Sequence, residues 1–502
     1  MGALFCLYCW LLAPATSDLA AAVFRSDLFS RGALIYNAQW YDGHHLVAYS
    51  LLSPPLGALL GTRFVGALAT FGSIVAFERI VVPRYGTGGR VSTVLFALTA
   101  GSSLLIGRIA FAVGLFFGVL ALYFVVRSRP TLACAAAVLC ALGSPLAGLF
   151  LALAAAVWFV VERQRLGIVL AASAVIPSLV LQFAFREGGT FPYGGPSFTQ
   201  LLVFCILCLI ALPREERLLQ VGFLAYLALG IYALAAPSQL GGNVNRIGTI
   251  VGAPLLAAVL WNRRRLYLLL ALPYLLWWPL HSVVRDLPDA GGTETHAAYY
   301  RPLNDYLARH TTAPFRLEIP PTRNHWEGVY VGERFELARG WERQLDQKYD
   351  ALYYGTAVTP PRYRHWLAHN AVQYVALPDA PSDFAARAEA DLLVTGRLPF
   401  LRLIWQNRHW KLYRVVGATP LLSGPGRLRS ATPDSFTIDA RRAGRFVMRL
   451  HFSPYWALAA GSGCVRSSPG NYTEVRLRHP GHAVVGMSFA FSRAVTQGPR
   501  CT

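Results

Sequence analysis

Apolar residues fill the first 285 positions in blocks, and arginine, glycine or proline closes most of them. The blocks fall at 2–15, 56–77, 91–107, 109–126, 131–143, 145–161, 166–184, 198–212, 218–236, 247–261 and 266–284. Repeated apolar runs approaching twenty residues predict membrane-spanning helices, here about eleven. The first block ends in APATS and has three readings: a short span, a signal peptide, or a span cut short. All three place residues 16–53 in one outer loop. After position 286 the pattern changes. Residues 293–420 mix helical stretches such as SDFAARAEADLL (382–393) with alternating ones such as HWKLYRVV (409–416). From 421 onward SFTIDA, RFVMRLHF, TEVRLRH and HAVVGMSF alternate between Gly/Pro turns, which predicts a small β-sandwich. The expected fold is a mainly α membrane protein of about eleven transmembrane helices, with an exported α+β region ending in that sandwich. Its parts are a membrane domain at 1–285, an exported α+β domain at 286–420 and an exported β-rich domain at 421–502.

Composition agrees with a membrane solvent. The chain is 54% hydrophobic and 14% charged, with a mean hydropathy of +0.40. A soluble protein needs more polar surface than this. The net charge of +20 does not indicate nucleic acid, because no recognition module or aromatic-basic groove accompanies it. Arginines instead crowd one alternate set of short loops, at 78–90, 127–130, 162–165, 213–217 and 262–265. The positive-inside rule makes that set cytoplasmic, and residues 16–53 and everything after about 286 fall outside. Of eight cysteines, only Cys464 and Cys501 lie in the polar C-terminal half. They suit a disulfide if that half is exported.

Ionisable groups beside a bilayer are costly and point to function. The loop 16–53 carries Asp18, Asp27, Asp42, His44 and His45. Asp18, just past the first block, is placed to serve as a general base for a membrane-embedded substrate. It equally suits a helix start before LAAAVF. Asp42-Gly43-His44-His45 offers a carboxylate and two imidazoles to a divalent cation such as Mg or Mn, with Asp42 and His44 as ligands. The plainer reading is an interfacial aromatic belt of Trp40, Tyr41 and Tyr49. His44 also suits recognition of a phosphate or a sugar hydroxyl. Arg108, Arg186 and Arg246 sit at outer helix ends, where a guanidinium holds a lipid phosphate or snorkels to headgroups. Asn243 and Asn245 add neutral donors beside Arg246. Farther on, His325 and Glu327 lie in NHWEGVYVGERFELARGWERQLD (324–346), a carbohydrate face or a structural seam, the seam being slightly favoured.

The order of an acid after the first block, then RSDLFSRG (25–32), then SPPLGALLG (53–61), resembles the GT-C glycosyltransferases. The closer resemblance is to bacterial, actinobacterial membrane proteins of the YfhO-like type, also called 6-pyruvoyl-tetrahydropterin-synthase-related. It is carried by WYDGHHLVAYSLLSPPLGALLG, HWEGVYV, ARGWERQLD and SPYW with Cys464. The resemblance implies a multi-pass protein of the bacterial plasma membrane. It implies transfer of a sugar from a polyprenyl-phosphate carrier to a glycan, lipid or protein acceptor on the outer face. Asp18 would be the catalytic acid, assisted by Asp27 or Asp42. Lipid phosphate would sit near the outer arginines. The sequence departs from the paired acids common at the first-loop position, since Leu19 follows Asp18. The other reading is a non-enzymatic transporter of lipid-linked glycan or a cell-envelope assembly factor.

Overall fold

The structure is a computed structural model and describes residues 2–12, 14–355 and 357–496. Every apolar block forms helix: α1 (Gly2–Leu12), α2 (Ser17–Ser30), α3 (Ser53–Leu60), α4 (Thr62–Tyr85), α5 (Thr87–Leu105), α6 (Ile109–Val126), α7 (Pro130–Gly143), α8 (Pro145–Glu162), α9 (Leu166–Ala184), α10 (Gly195–Ala211), α11 (Arg217–Ala235), α12 (Asn245–Leu260) and α13 (Arg265–Asp286). Two compact units result. One comprises the chain up to Asp27, Ala48–Gln182 and Gly188–Gly291; the other comprises Leu28–Val47, Phe183–Glu187 and Gly292 onward.

The first unit is helical. Among the described residues, seven helices are long and apolar enough to cross a membrane, or eight if the bent pair α1 and α2 is one span. The expected eleven are reduced because α7 and α10, with 14 and 17 residues, are short, and α5 is not apolar enough to count. The set fits a multi-pass membrane protein. Small residues let the helices approach. A Cβ on Gly114 of α6 would lie 2.6 Å from the Ser144 side chain, and one on Gly148 of α8 would lie 2.6 Å from the Ala174 carbonyl. Membrane helices depend on such contacts, since lipid supplies no hydrophobic drive between them. Leu59, Leu179 and Leu270 face outward, fully compatible with a lipid solvent.

Two local expectations are corrected. Residues 16–53 are not simply a loop, because SDLAAAVFRSDLFS forms α2 and buries Leu19, Ala20, Ala21, Phe24 and Leu28. The block at 56–77 is not one span either. Gly61, at φ +88°, separates α3 from α4, and Pro54-Pro55 opens α3 where a proline's missing N–H has no helical partner to lose.

The second unit joins two sheet systems. The first sheet holds β3 (Arg316–Glu318), β4 (Glu336–Leu337), β5 (Val372–Pro378), β6 (Leu401–Gln406) and β7 (Trp410–Val415) in the order β4-β3-β5-β7-β6. The sandwich follows with β8 (Leu422–Ser423), β9 (Gly426–Ala431), β10 (Ser435–Ala440), β11 (Gly444–His451), β12 (Trp456–Ala460), β13 (Gly463–Ser467), β14 (Tyr472–Leu477) and β15 (Gly481–Met487). They form two antiparallel four-stranded sheets, β12-β15-β10-β9 and β13-β14-β11-β8. Period-two alternation turns Phe436, Ile438, Phe446, Met448, Val475 and Val485 into one core. Tyr36 enters the same core from a short pair, β1 (Tyr36–Asn37) with β2 (His44–His45), and its hydroxyl donates to the His451 carbonyl at 2.6 Å. Cys464 on β13 is disulfide-bonded. The partner expected from the sequence, Cys501, lies outside the described residues.

Candidate functional site: a cleft where four helices begin

The first unit contains a narrow cleft, with about 10 Å³ open to the centre of a water molecule. Asp18 and Arg25 come from α2, Tyr49 and Ser50 from the segment before α3, Ser53 and Pro54 from the start of α3. Arg108 comes from the turn before α6 and Arg246 from the start of α12. The N-terminal ends of α2, α3, α6 and α12 therefore converge here. Each turns the positive end of its dipole toward the cleft, which favours an anion. The remaining wall is apolar: Ala22, Ile109, Ala110 and Phe111.

Asp18 is the second residue of α2, inside its first turn and not at the cap, and it lines the cleft. Its Oδ2 is 3.5 Å from Arg108 Nε, and the two side chains are 33% and 20% exposed. The carboxylate is thus wetted but held toward a cation. Burial, then the neighbouring Arg246, pulls the Arg108 pKa down to about 10. Asp18 and Asp286 oppose that shift, so the two guanidiniums are partly offset, and an added anion would still be attracted to them. Arg25 stacks on Tyr49, its Cζ 3.8 Å from the ring centroid. Ser50 is fixed by a 2.7 Å bond to the Gly143 carbonyl.

The geometry depends on Gly107. Its φ is +84°, and a Cβ there would lie 2.3 Å from the Leu19 amide nitrogen. The bare backbone lets the turn carrying Arg108 touch the turn carrying Asp18. Gly61 has a φ of +88° but nothing within 4 Å. Gly107→Ala should therefore lower the thermal midpoint more than Gly61→Ala. The latter bears only the strain of its positive-φ backbone, on the order of 1–3 kcal/mol, and the former adds a backbone collision. Equal shifts in a melting comparison would show that the contact with Leu19 is not needed.

The other sequence candidates lie elsewhere. Asp27 is on α2 and half-buried, outside the cleft lining. Asn243 donates to the Gln239 carbonyl at 3.3 Å, and Asn245 accepts from Tyr193 at 3.1 Å and donates to the Ser197 carbonyl at 3.0 Å. Both amides hold the turn that delivers Arg246. Arg186 is exposed in the second unit, against the Phe183 ring and carbonyl.

Asp42, His44 and His45 belong to the second unit, and they are buried there. Asp42 Oδ1 is 2.7 Å from Arg316 Nη1. His45 Nδ1 lies 2.7 Å from Glu187 and its Nε2 2.9 Å from the Ser453 hydroxyl. His44 Nδ1 faces the Trp40 carbonyl at 3.5 Å. Among the described residues no three His, Cys, Asp or Glu groups are placed to hold a metal ion. The expected Asp42–His44 metal site is replaced by an arginine pair, because a buried carboxylate takes the nearest fixed cation. The aromatic-belt reading also fails for Trp40 and Tyr41, each 1% exposed. Trp40 lies among Gly328, Gly332 and Gly340, where any added Cβ would come within 3.0 Å of it.

His325 and Glu327 are likewise internal. His325 stacks on Trp341 at 3.5 Å between ring centroids and pairs with Glu327 and Asp383 at 3.5 Å each. Burial opposes its charge, but hydrogen bonds to Asp383 and Glu327 raise its pKa. Glu327 accepts from the Thr322 hydroxyl at 2.6 Å.

Asp42 gives a pH prediction. Burial, opposed by Arg316 and reinforced by Glu336, lifts its pKa from 3.8 to about 7. The folded chain keeps a proton that the unfolded chain has released. Its contribution to stability is therefore full at acid pH and is lost as pH rises through 7. Stability of the second unit minus that of an Asp42→Asn variant should fall between pH 4 and 7 and then level. A flat difference in denaturant titrations across that range would refute it.

Arg25 was not among the sequence candidates for the site, and Tyr49 entered only as part of the aromatic belt. The available signal was the i, i+7 spacing of Asp18 and Arg25, which shares a helix face, but it required reading 17–30 as helix.

No family model matches the chain, and no curated protein matches it. Among solved structures, ArnT from Cupriavidus metallidurans in the apo state is similar, with 13% identity over 81% of this chain and 96% of that chain, at a TM-score of 0.49.

Proposed function

We propose that the protein is a GT-C-type membrane glycosyltransferase that moves a sugar from a polyprenyl-phosphate carrier to an acceptor at the outer face of the bacterial plasma membrane. The observation that carries this reading is the meeting of Asp18 with Arg108 and Arg246 in one cleft at four helix N-termini. Arg108 and Arg246 hold the lipid phosphate, and the apolar wall accepts the first prenyl carbons. A phosphate bound there competes with Asp18 for Arg108 and releases the carboxylate. Asp18 then takes the proton of an acceptor hydroxyl as its oxygen attacks the anomeric carbon. The bond from that carbon to the phosphate oxygen breaks, the anomer inverts, and the arginines stabilise the departing charge. The arginine-rich short loops support placing the opposite loops and the second unit outside.

The test is incubation of purified protein with a panel of polyprenyl-phosphate sugars and candidate acceptors. Wild type should release polyprenyl phosphate and form glycosylated product, and Asp18→Asn should not. Equal turnover by the two would refute the assignment.

A further inference from the structure

The sandwich carries a second cationic feature, separate from the cleft and independent of its proposed role. Residues 421–502 hold eleven arginines against three carboxylates. One carboxylate, Glu474, sits at the centre of the sheet β13-β14-β11-β8, on the strand between β11 and β13. Its side chain is 1% exposed. It points to the outer face, because its neighbour Val475 is in the core.

Three arginines converge on Glu474. Arg445 Nε lies 2.8 Å from Oε2, and Arg466 Nε and Arg476 Nε lie 2.8 and 2.9 Å from Oε1. Their side chains are 54%, 37% and 48% exposed. Arg466 and Arg476 are anchored by Nε–H bonds to Oε1, and Arg445 faces Oε2 as an ion pair. Among the described residues, the Nη nitrogens of all three make no hydrogen bond. The carboxylate offsets one charge of three and fixes the direction of the Arg466 and Arg476 forks. The result is a rigid surplus of positive charge with its donor edges turned to solvent, the geometry that suits phosphate or carboxylate oxygens.

We infer that this sheet face binds a phosphate-bearing glycan polymer. A polymer with repeated anions can bring several anionic groups to the forks at once, which adds avidity. A hydrated polymer fits better than a lipid surface, because no large apolar side chain is exposed on β11, β13 or β14. Membrane-binding faces need apolar anchors beside their cations.

The experiment uses the full chain in detergent and immobilised phosphorylated dextran, with unmodified dextran and phosphatidylglycerol vesicles as parallel arms. The combined Arg445→Gln, Arg466→Gln and Arg476→Gln variant should bind phosphorylated dextran at least about tenfold more weakly, with a shallower salt dependence. The charge-matched control Arg263→Gln, Arg264→Gln and Arg265→Gln should bind within about twofold of wild type. The three sandwich arginines changed to lysine keep the charge and lose the forks, and should be about threefold weaker or more. The lysine variant decides the matter if the glutamine one does not fold. Undiminished binding by the sandwich variants, equal losses in the control, equal capture by unmodified dextran, or preferred capture by the vesicles would each overturn the inference.

Discussion

Asp18→Asn should lower kcat for sugar transfer by about 10²–10⁴-fold, the range a positioned general base supplies, with little change in donor KM. Asparagine keeps the shape of the side chain and can still sit at the first turn of α2. The lost ion pair to Arg108 spans 3.5 Å between partly exposed side chains. Such pairs contribute about 0–1 kcal/mol, so folding should be nearly unaffected. What disappears is the one carboxylate among the described residues of the cleft lining, and with it a place for the acceptor proton in the proposed reaction. Arg108→Gln should show a different split. In the proposed reaction it removes a charge-assisted contact to the donor phosphate, made before and during bond breaking, so donor KM should rise about tenfold and kcat should also fall. Measuring both constants for both variants separates base from phosphate ligand. Asp18→Asn raising KM as much as Arg108→Gln, with kcat intact, would make Asp18 a binding or capping residue instead.

The helical unit was largely legible because its information is local. Each apolar block became helix, and of the three arginines singled out at helix ends, Arg108 and Arg246 line the cleft with Asp18, whereas Arg186 lies in the second unit. The sandwich strands were legible for the same reason, since SFTIDA and RFVMRLHF alternate as β10 and β11 do. The segment 36–45 was not legible. WYDGHH lies in sequence between two membrane helices, so its acid and histidines read as interfacial chemistry. Its partners come from positions far along the chain: Arg316 for Asp42, Ser453 for His45 and the His451 carbonyl for Tyr36. No local spacing encodes pairings across hundreds of residues. The turn itself takes an unusual path, with Tyr41, Asp42 and Gly43 all at positive φ. Gly43 permits it, because a Cβ there would fall 2.0 Å from the Tyr36 hydroxyl. Arg25 was missed for a different reason. Whether it faces a cleft depends on helix phase, and that phase is undefined until 17–30 is known to be helical.

Arg316→Met should destabilise the second unit by about 3–5 kcal/mol, the loss expected when one partner of a buried ion pair is removed. Arg316 is fully buried and makes contacts in several directions. Nη1 reaches Asp42 at 2.7 Å and the Asn370 carbonyl at 2.6 Å, and Nη2 reaches Glu336 at 3.3 Å and the Arg449 carbonyl at 2.7 Å. One guanidinium thus ties together the turn after β1, strand β4, the segment before β5, and β11. Methionine restores much of the volume, so a cavity is a minor part of the effect. The main part is two buried carboxylates left without a cation. Burial already raises the pKa of Glu336 as well as that of Asp42 while Arg316 opposes it. Without the arginine both should rise further. The folded variant then takes up protons that the unfolded chain releases, so its stability is greatest at acid pH and is lost as pH rises. The deficit relative to wild type should accordingly be smaller at pH 5 than at pH 8. Adding Asp42→Asn and Glu336→Gln to Arg316→Met should recover part of the loss at pH 8, because neutral amides remove the stranded charges. Thermal midpoints and limited proteolysis of the second unit at the two pH values would measure both effects. A deficit independent of pH, with no recovery in the triple variant, would mean that Arg316 acts through packing and its carbonyl contacts, with its charge contributing little.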